Sequence, residues 1–283
     1  GEKFFFIIDE WDAICREFPE RQKMKGDPDT VTPTILDEYV MLLRRLFKTQ
    51  DSDEVFAGAY LTGILPIKKY NTESALNNFC EYSMIDPAFL AACYGFTEDE
   101  VKMLAERHNA SMDNLKMWYD GYNIGREKSI YNPYSVMKAL QRGSCRSYWT
   151  TTGAYDSVIT YIQMNFDGLK DDIIRMLAGE RVYVNTSKFQ NDMNIVRSKN
   201  DVLTVLIHLG YLAYDDEKQQ CYVPNKEVTD ELLNAVEDTS WKRLADAITA
   251  SRNLLDATIA GNENAVAQAI DLAHDENTSI LAY

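Results

Sequence analysis

Asp9 and Glu10 stand directly behind Phe4-Phe5-Phe6-Ile7-Ile8, and Asp12 follows them after Trp11. Five consecutive apolar residues of high β propensity, cut off by two carboxylates, read as a strand buried on both faces inside a parallel sheet. Ligands of such sheets gather at the carboxyl ends of the strands, where these acids lie. Phosphoryl transfer is the chemistry that uses two adjacent acids at that place. The first, Asp9, holds Mg²⁺ through its water shell, and the second, Glu10, orients the attacking water. That is the Walker B arrangement. Taken alone, the same residues also describe a buried strand whose terminal acids only face solvent.

A second strand has to stand beside the first for such a site to form. Helix resumes near Pro33, with Ile35, Leu36, Tyr39, Val40, Leu42, Leu43, Leu46 and Phe47 on a broad apolar face, and Asp51-Ser52-Asp53 breaks it. Val55–Leu61 then reads as another buried strand, ending at Thr62-Gly63. Strand, helical crossover and strand predict a right-handed parallel unit that sets Thr62 at the same sheet edge as the acids. In Walker-type ATPases with an extra strand between the P-loop and Walker B strands, a polar residue here senses the γ-phosphate ("sensor 1"). A threonine hydroxyl at a strand end equally well satisfies a backbone group.

The composition restricts the alternatives. The chain has 283 residues, 46% of them apolar, which is enough for a sizeable core in one large or two ordinary domains. No run of eighteen apolar residues predicts a transmembrane helix, and Phe4–Ile8 is too short for a signal-peptide core. Five scattered cysteines without a C-x-x-C pair predict reduced thiols and a cytoplasmic location. The three histidines, His108, His208 and His274, have no ligand spacing. A net charge of −15 repels polyanions, so nucleic-acid binding is not expected through this segment.

Further along, local signals mark most of the helices. Ala13–Phe18 reads as a short helix entering a polar loop. Thr97-Glu98-Asp99-Glu100 is a capping box opening a helix to His108, Ser111 opens another to Tyr119, and Asn132-Pro133 precedes one stopped at Gly143. Tyr148–Gly153 reads as a strand or turn, followed by two helical segments to Ala178. Ser198-x-x-Asp201 caps a helix ended at Gly210; Tyr211–Tyr214 and Cys221–Val223 form a hairpin, and a helix follows Pro224-Asn225. Helix plus hairpin wing suggests a winged-helix-like unit. Ser240–Ala260 and Glu263–Ala273, joined at Gly261, close the chain.

Five phrases, in this order and spacing, resemble the bacterial AAA-ATPase-like family: Ile7-Ile8-Asp9-Glu10-Trp11-Asp12, Leu61–Ile67, Tyr94–Val101, Trp118-Tyr119-Asp120-Gly121-Tyr122 and Tyr131–Val136. The resemblance spans nearly the whole chain. It implies a cytoplasmic P-loop ATPase module followed by a helical and winged-helix-like region, with a PD-(D/E)XK nuclease-like domain last in many members. The fold class expected is an α/β partial P-loop NTPase sheet, carrying the Walker B and sensor strands, followed by a mostly α-helical region with a winged-helix-like unit. Residues 1–70 correspond to part of the ATPase core, 71–190 to a helical lid-like region, 191–240 to the winged-helix-like unit and 241–283 to a helical connector. No G-x-x-x-x-G-K-[ST] occurs, and the chain ends where the nuclease-like domain would begin, so an internal fragment is expected.

The expected function is that of an ATP-binding and ATP-hydrolysing module, with Asp9 on the metal and Glu10 and Thr62 as catalytic residues. ATP and Mg²⁺ belong to the intact protein; neither is expected to be bound by this chain, because one carboxylate does not hold Mg²⁺ tightly. Arg44, Arg45 and Arg126 are candidates for an arginine acting in trans. The competing reading is a nucleotide-regulated protein-interaction module without turnover of its own. Trp118, Tyr119, Tyr122, Tyr131, Tyr134, Tyr148 and Trp149 then either line a partner surface or fill a helical core. The expected partners are a second copy, through the edge of Val55–Leu61, or another protein, with no membrane. A nuclease has no support within these residues.

Overall fold

A computed structural model describes residues 2–14, 35–49, 52–64, 79–149, 166, 168–187, 189, 198–237 and 242–278. Near the start, strand β1 (Phe4–Ile8) pairs in parallel with β2 (Phe56–Leu61). Helix α1 (Ile35–Phe47) lies between them in sequence, and a single helical turn, Ser52–Val55, leads into β2. Phe6 stands opposite Ala59 and Ile8 opposite Leu61, and this face packs on Val40, Leu43 and Phe47 of α1. Phe47 is the hub, in ring contact with Phe6, Phe56 and Phe79 at 5.3–5.6 Å.

The expectation of a strand buried on both faces does not hold for these residues. Phe5 and Ile7 are 63% and 69% exposed, and Tyr60 of β2 is 55% exposed. The cause is the partnership rather than the sequence: α1 covers one face of the two-stranded sheet, and alternate side chains project to opposite faces. The expected start of β2 moves by one residue, because Val55 completes the preceding helical turn. Ala13 and Ile14 are helical, as the expected Ala13–Phe18 helix requires, while the remainder of that helix lies outside the described residues.

Beyond a 3₁₀ segment, Ala88–Cys93, come α2 (Glu98–His108), α3 (Met112–Tyr119), strands β3 (Tyr122–Ile124) and β4 (Glu127–Ile130), and α4 (Pro133–Arg142). Their starts are the ones the caps announce. The Thr97 hydroxyl accepts from the Glu100 N–H while the Glu100 carboxylate accepts from the Thr97 N–H at 2.8 Å, and Ser111 and Asn132 cap the next two helices. The β3–β4 hairpin is an addition to what the sequence suggested. Val101, Leu115, Tyr119, Tyr131 and Val136 form the core of this lobe. Tyr119, Tyr122, Tyr131 and Tyr148 are buried, Trp118 and Trp149 half-buried, and Tyr134 alone of the seven aromatics is exposed. They fill a core.

The largest core lies further on, among α5 (Leu169–Leu177), β5 (Val182–Tyr183), α6 (Lys199–His208), β6 (Ala213–Asp215), β7 (Gln220–Tyr222) and α7 (Lys226–Glu237). The strands form an antiparallel sheet in the order β5-β7-β6, so the expected hairpin gains a third strand from ahead of residue 191. Burial raises the Cys221 thiol to about 12, which keeps it an inert core residue. Asp172, 6% exposed, is neutralised by Lys199 at 2.6 Å and Arg175 at 3.5 Å. Helices α8 (Lys242–Ile259) and α9 (Glu263–Thr278) pack mainly on each other. Among the described residues, no helix is long and apolar enough to cross a membrane.

The Trp118–Tyr122 motif is the joint between the two lobes. Gly121 has φ +114°, and a Cβ there would stand 2.0 Å from the Pro224 carbonyl oxygen, so only glycine fits. Around it, the Asn225 side chain donates to the Asp120 carbonyl (2.8 Å), Tyr222 donates to the Gly121 carbonyl (3.1 Å) and Tyr122 to the Gly210 carbonyl (2.6 Å). The Tyr119 hydroxyl donates to the Arg146 carbonyl at 2.9 Å and accepts from the Arg146 N–H at 3.0 Å. These buried backbone groups have partners because the motif supplies them.

Candidate active site

Two turns meet at the carboxyl end of the parallel pair. Ile8 and Leu61 are level in the register, so the chain leaves both strands at one height. The Thr62 N–H donates to the Ile8 carbonyl at 2.9 Å, extending the ladder, and the Trp11 N–H donates to the Thr62 carbonyl at 2.8 Å. Between these bonds the Thr62 hydroxyl does two things. It accepts from the Glu10 N–H at 3.2 Å, and it donates to Asp9 Oδ1. Asp9, Glu10 and Thr62, singled out from opposite sides of a 53-residue separation, are brought together.

Glu10 takes φ +52°, in the left-handed region. For a residue with a Cβ that conformation costs about 1 kcal/mol, and it persists only where neighbours fix it. Here the bond from its N–H to Thr62 fixes it. The turn points Asp9 and Glu10 outward, and both are exposed.

Two residues behind the acids, Trp11 and Asp12, were given no role by the sequence. Asp12 is fully buried, and its Oδ2 accepts from the Ile64 N–H at 3.1 Å, tying the second turn to the first. Trp11 is 5% exposed and lies against Gly63, where a Cβ would stand 2.5 Å from the indole Cδ1 and Nε1. The available signals were the third acid in Asp-Glu-Trp-Asp and the glycine after Thr62. Neither points inward by local rules.

The donor set suits a water-shell contact to a divalent cation better than direct chelation. Thr62 engages Asp9 Oδ1, while Oδ2 has no hydrogen bond among the described residues. No group of three His, Cys, Asp or Glu side chains arranged to hold a metal occurs among the described residues. A single carboxylate is the usual protein contribution to Mg²⁺ that is otherwise held by water and phosphate oxygens. Arg44, Arg45 and Arg126 are all exposed.

An open cleft of about 980 Å³ runs along β2 from Phe56 to Ile64. Its far wall is formed by Phe79–Met84, Phe89, Cys93 and Tyr94. Thr62 lines its end, but Asp9 and Glu10 do not. Tyr94 on that wall is pushed up to about 12, by burial first and then by Tyr60, Asp86 and Glu81 nearby, so it stays a neutral phenol.

Comparison with known proteins gives one similarity and no family. The chain is 32% identical over 157 residues to a protein of Azotobacter chroococcum mcd 1 bearing the name "Uncharacterized protein in vnfD 5'region". The match covers 54% of this chain and 28% of that protein's length. No family model matches, and no solved structure matches.

The two bonds of the Thr62 hydroxyl, to the Glu10 N–H and to Asp9, predict a hydroxyl-specific effect. Thr62→Val removes both bonds and should lower stability by about 1 kcal/mol in urea unfolding, whereas Thr62→Ser should stay within a few tenths. A Thr62→Val protein as stable as the parent would show that the hydroxyl does not hold the two turns together.

Proposed function

We propose that this chain carries the metal-holding and water-orienting edge of a P-loop ATPase. The observation that carries the reading is the junction of Asp9, Glu10 and Thr62 at the carboxyl end of two parallel strands. In this reading Asp9 Oδ2 contacts the water shell of Mg²⁺ on a nucleoside triphosphate, and the exposed Glu10 carboxylate accepts a proton from the attacking water. Thr62 holds both in place, and to meet the γ-phosphate its hydroxyl would turn its one proton from Asp9 Oδ1 to a phosphate oxygen. Residues 198–237 are read as a winged-helix-like unit that contacts protein rather than DNA. They hold Lys199, Lys218 and Lys226 against eight acids, with Asp215 at the end of β6 and Asp216 and Glu217 in the turn to β7. The four described cysteines are free thiols, which accords with a cytoplasmic location.

The 283-residue chain contains no G-x-x-x-x-G-K-[ST] and should bind Mg·ATP more weakly than about 1 mM, with no turnover. In a longer protein carrying that segment ahead of Phe4, ATP hydrolysis should appear. Glu10→Gln should cut it by about 10²-fold or more while Mg·ATP binding survives. Micromolar Mg·ATP binding by the present chain, or a Glu10→Gln protein that still hydrolyses ATP at the parent rate, would contradict the assignment.

A second reading, a protein-interaction module, is favoured by the apolar surface. Leu255, Ile259, Ile270 and Leu272 of α8 and α9 are 52–77% exposed. Among the described residues β2 pairs with β1 alone, and Phe56–Leu61 holds neither proline nor lysine to blunt an edge. Self-association through β2 is the contact proposed. Light scattering should show a mass that rises with concentration and falls when Tyr60→Lys charges the exposed face of the strand. A strictly monomeric chain would remove the second copy as a partner.

A further inference from the structure

Helix α7 meets the α2–α4 lobe through carboxylates as well as apolar groups. Glu227 and Glu231 stand one turn apart on it, each 1% exposed. Glu227 Oε1 accepts from the Ser135 hydroxyl of α4 at 2.9 Å and from the Tyr148 N–H at 2.8 Å. Glu231 Oε1 accepts from the Ser147 hydroxyl, and its Oε2 is buried without a hydrogen-bond partner among the described residues.

Neither carboxylate forms an ion pair with a cation among the described residues. Lys226 is engaged by Asp230 at 3.0 Å and by the Trp118 ring at 4.8 Å. Arg142 and Arg146 lie against the Tyr148 ring at 5.8 and 5.3 Å. The other titratable groups around the pair are neutral or already compensated. Tyr119 of α3 and Tyr122 are phenols pushed up by burial and stay neutral, Cys145 is a thiol raised by burial, and Asp230 is held by Lys226. On α5, which also packs on α7, Asp172 is paired with Lys199 and Arg175; on α8 the titratable group among the described side chains is the exposed Asp256.

Two buried carboxylates this close, without a counter-charge, do not both ionise without a large cost. We propose that Glu227 and Glu231 form a proton-linked latch: with a proton on the pair, α7 is clamped to the α2–α4 lobe, and loss of that proton loosens α7 and the α8–α9 hairpin behind it. Burial, and then repulsion from Glu231, push Glu227 up from 4.5 to about 7 against the two hydrogen bonds that pull it down. Glu231 is raised as well, chiefly by burial. When α7 opens, the carboxyl returns to its ordinary value. The closed form therefore holds a proton that the open form lacks between pH 4.5 and about 7. The latch is firmest below that window, weakens as pH rises through it and levels off above.

Hydrogen exchange on the 283-residue chain tests the latch directly, with rates corrected for intrinsic exchange and α6 amides as the reference. Protection of α7 amides should be about 20-fold lower at pH 7.5 than at pH 5.5. Glu227→Gln keeps a carbonyl for Ser135 and Tyr148 but cannot titrate, and its α7 protection should change less than about threefold. Carbon NMR of the parent glutamate carboxyls supplies a readout that needs no variant: one should titrate well above pH 5.5. Protection of α7 that ignores pH, an equal slope in Glu227→Gln, or glutamate carboxyls that all titrate below pH 5.5 would overturn the proposal.

Discussion

Parallel pairing with Ile8 opposite Leu61 brings two turns from distant parts of the chain to one end of a sheet. A parallel pair requires a crossover between its strands, and α1 sits in that interval, its Val40, Leu43 and Phe47 packed on the shared face. Once the register is fixed, Thr62 has little choice. Its N–H continues the ladder to Ile8, its carbonyl meets the Trp11 N–H, and its hydroxyl lies between Asp9 and the Glu10 N–H. A slip of one residue would turn Phe6 and Ile8 to solvent, so apolar burial and site geometry select the same register.

The site is supported from behind by groups that do no chemistry. Asp12 holds the Ile64 N–H, and Trp11 occupies the space above Gly63. Together they keep the second turn against the first, and with it the left-handed Glu10. The joint between the two lobes follows the same logic. Gly121 lets two backbones touch, and Tyr119, Tyr122, Tyr222 and Asn225 satisfy the carbonyl and N–H groups that this contact buries. In each case a short sequence phrase exists because several buried polar groups need partners at once.

Local signals carried much of this into the sequence. Thr97, Ser111, Asn132 and Ser198 each cap a helix at the expected place, since a cap depends on residues within one turn. Asp9, Glu10 and Thr62 were legible because strand ends and turn residues mark them. What stayed hidden depends on distant partners. The outward projection of Phe5 and Ile7 follows from α1 covering one face, β5 is two residues long and exists through its pairing with β7, and Asp12 is buried by a turn 52 residues away. The β3–β4 hairpin turns on Gly125 and Arg126 between short, mixed strands, with too little alternation to stand out.

In the proposed ATPase edge Asp9 faces a divalent cation from the end of β1, and manganese broadening of amide resonances is the most direct measure of that placement. In a longer protein carrying a G-x-x-x-x-G-K-[ST] segment ahead of Phe4, with a nucleoside triphosphate present, Mn²⁺ should broaden amides of residues 8–11 and 61–63 ahead of those near other exposed acids such as Asp99 and Asp216. Asp9→Asn should remove that preference and leave the rest of the pattern intact. Broadening spread evenly over the acidic surface, unchanged by Asp9→Asn, would contradict the account.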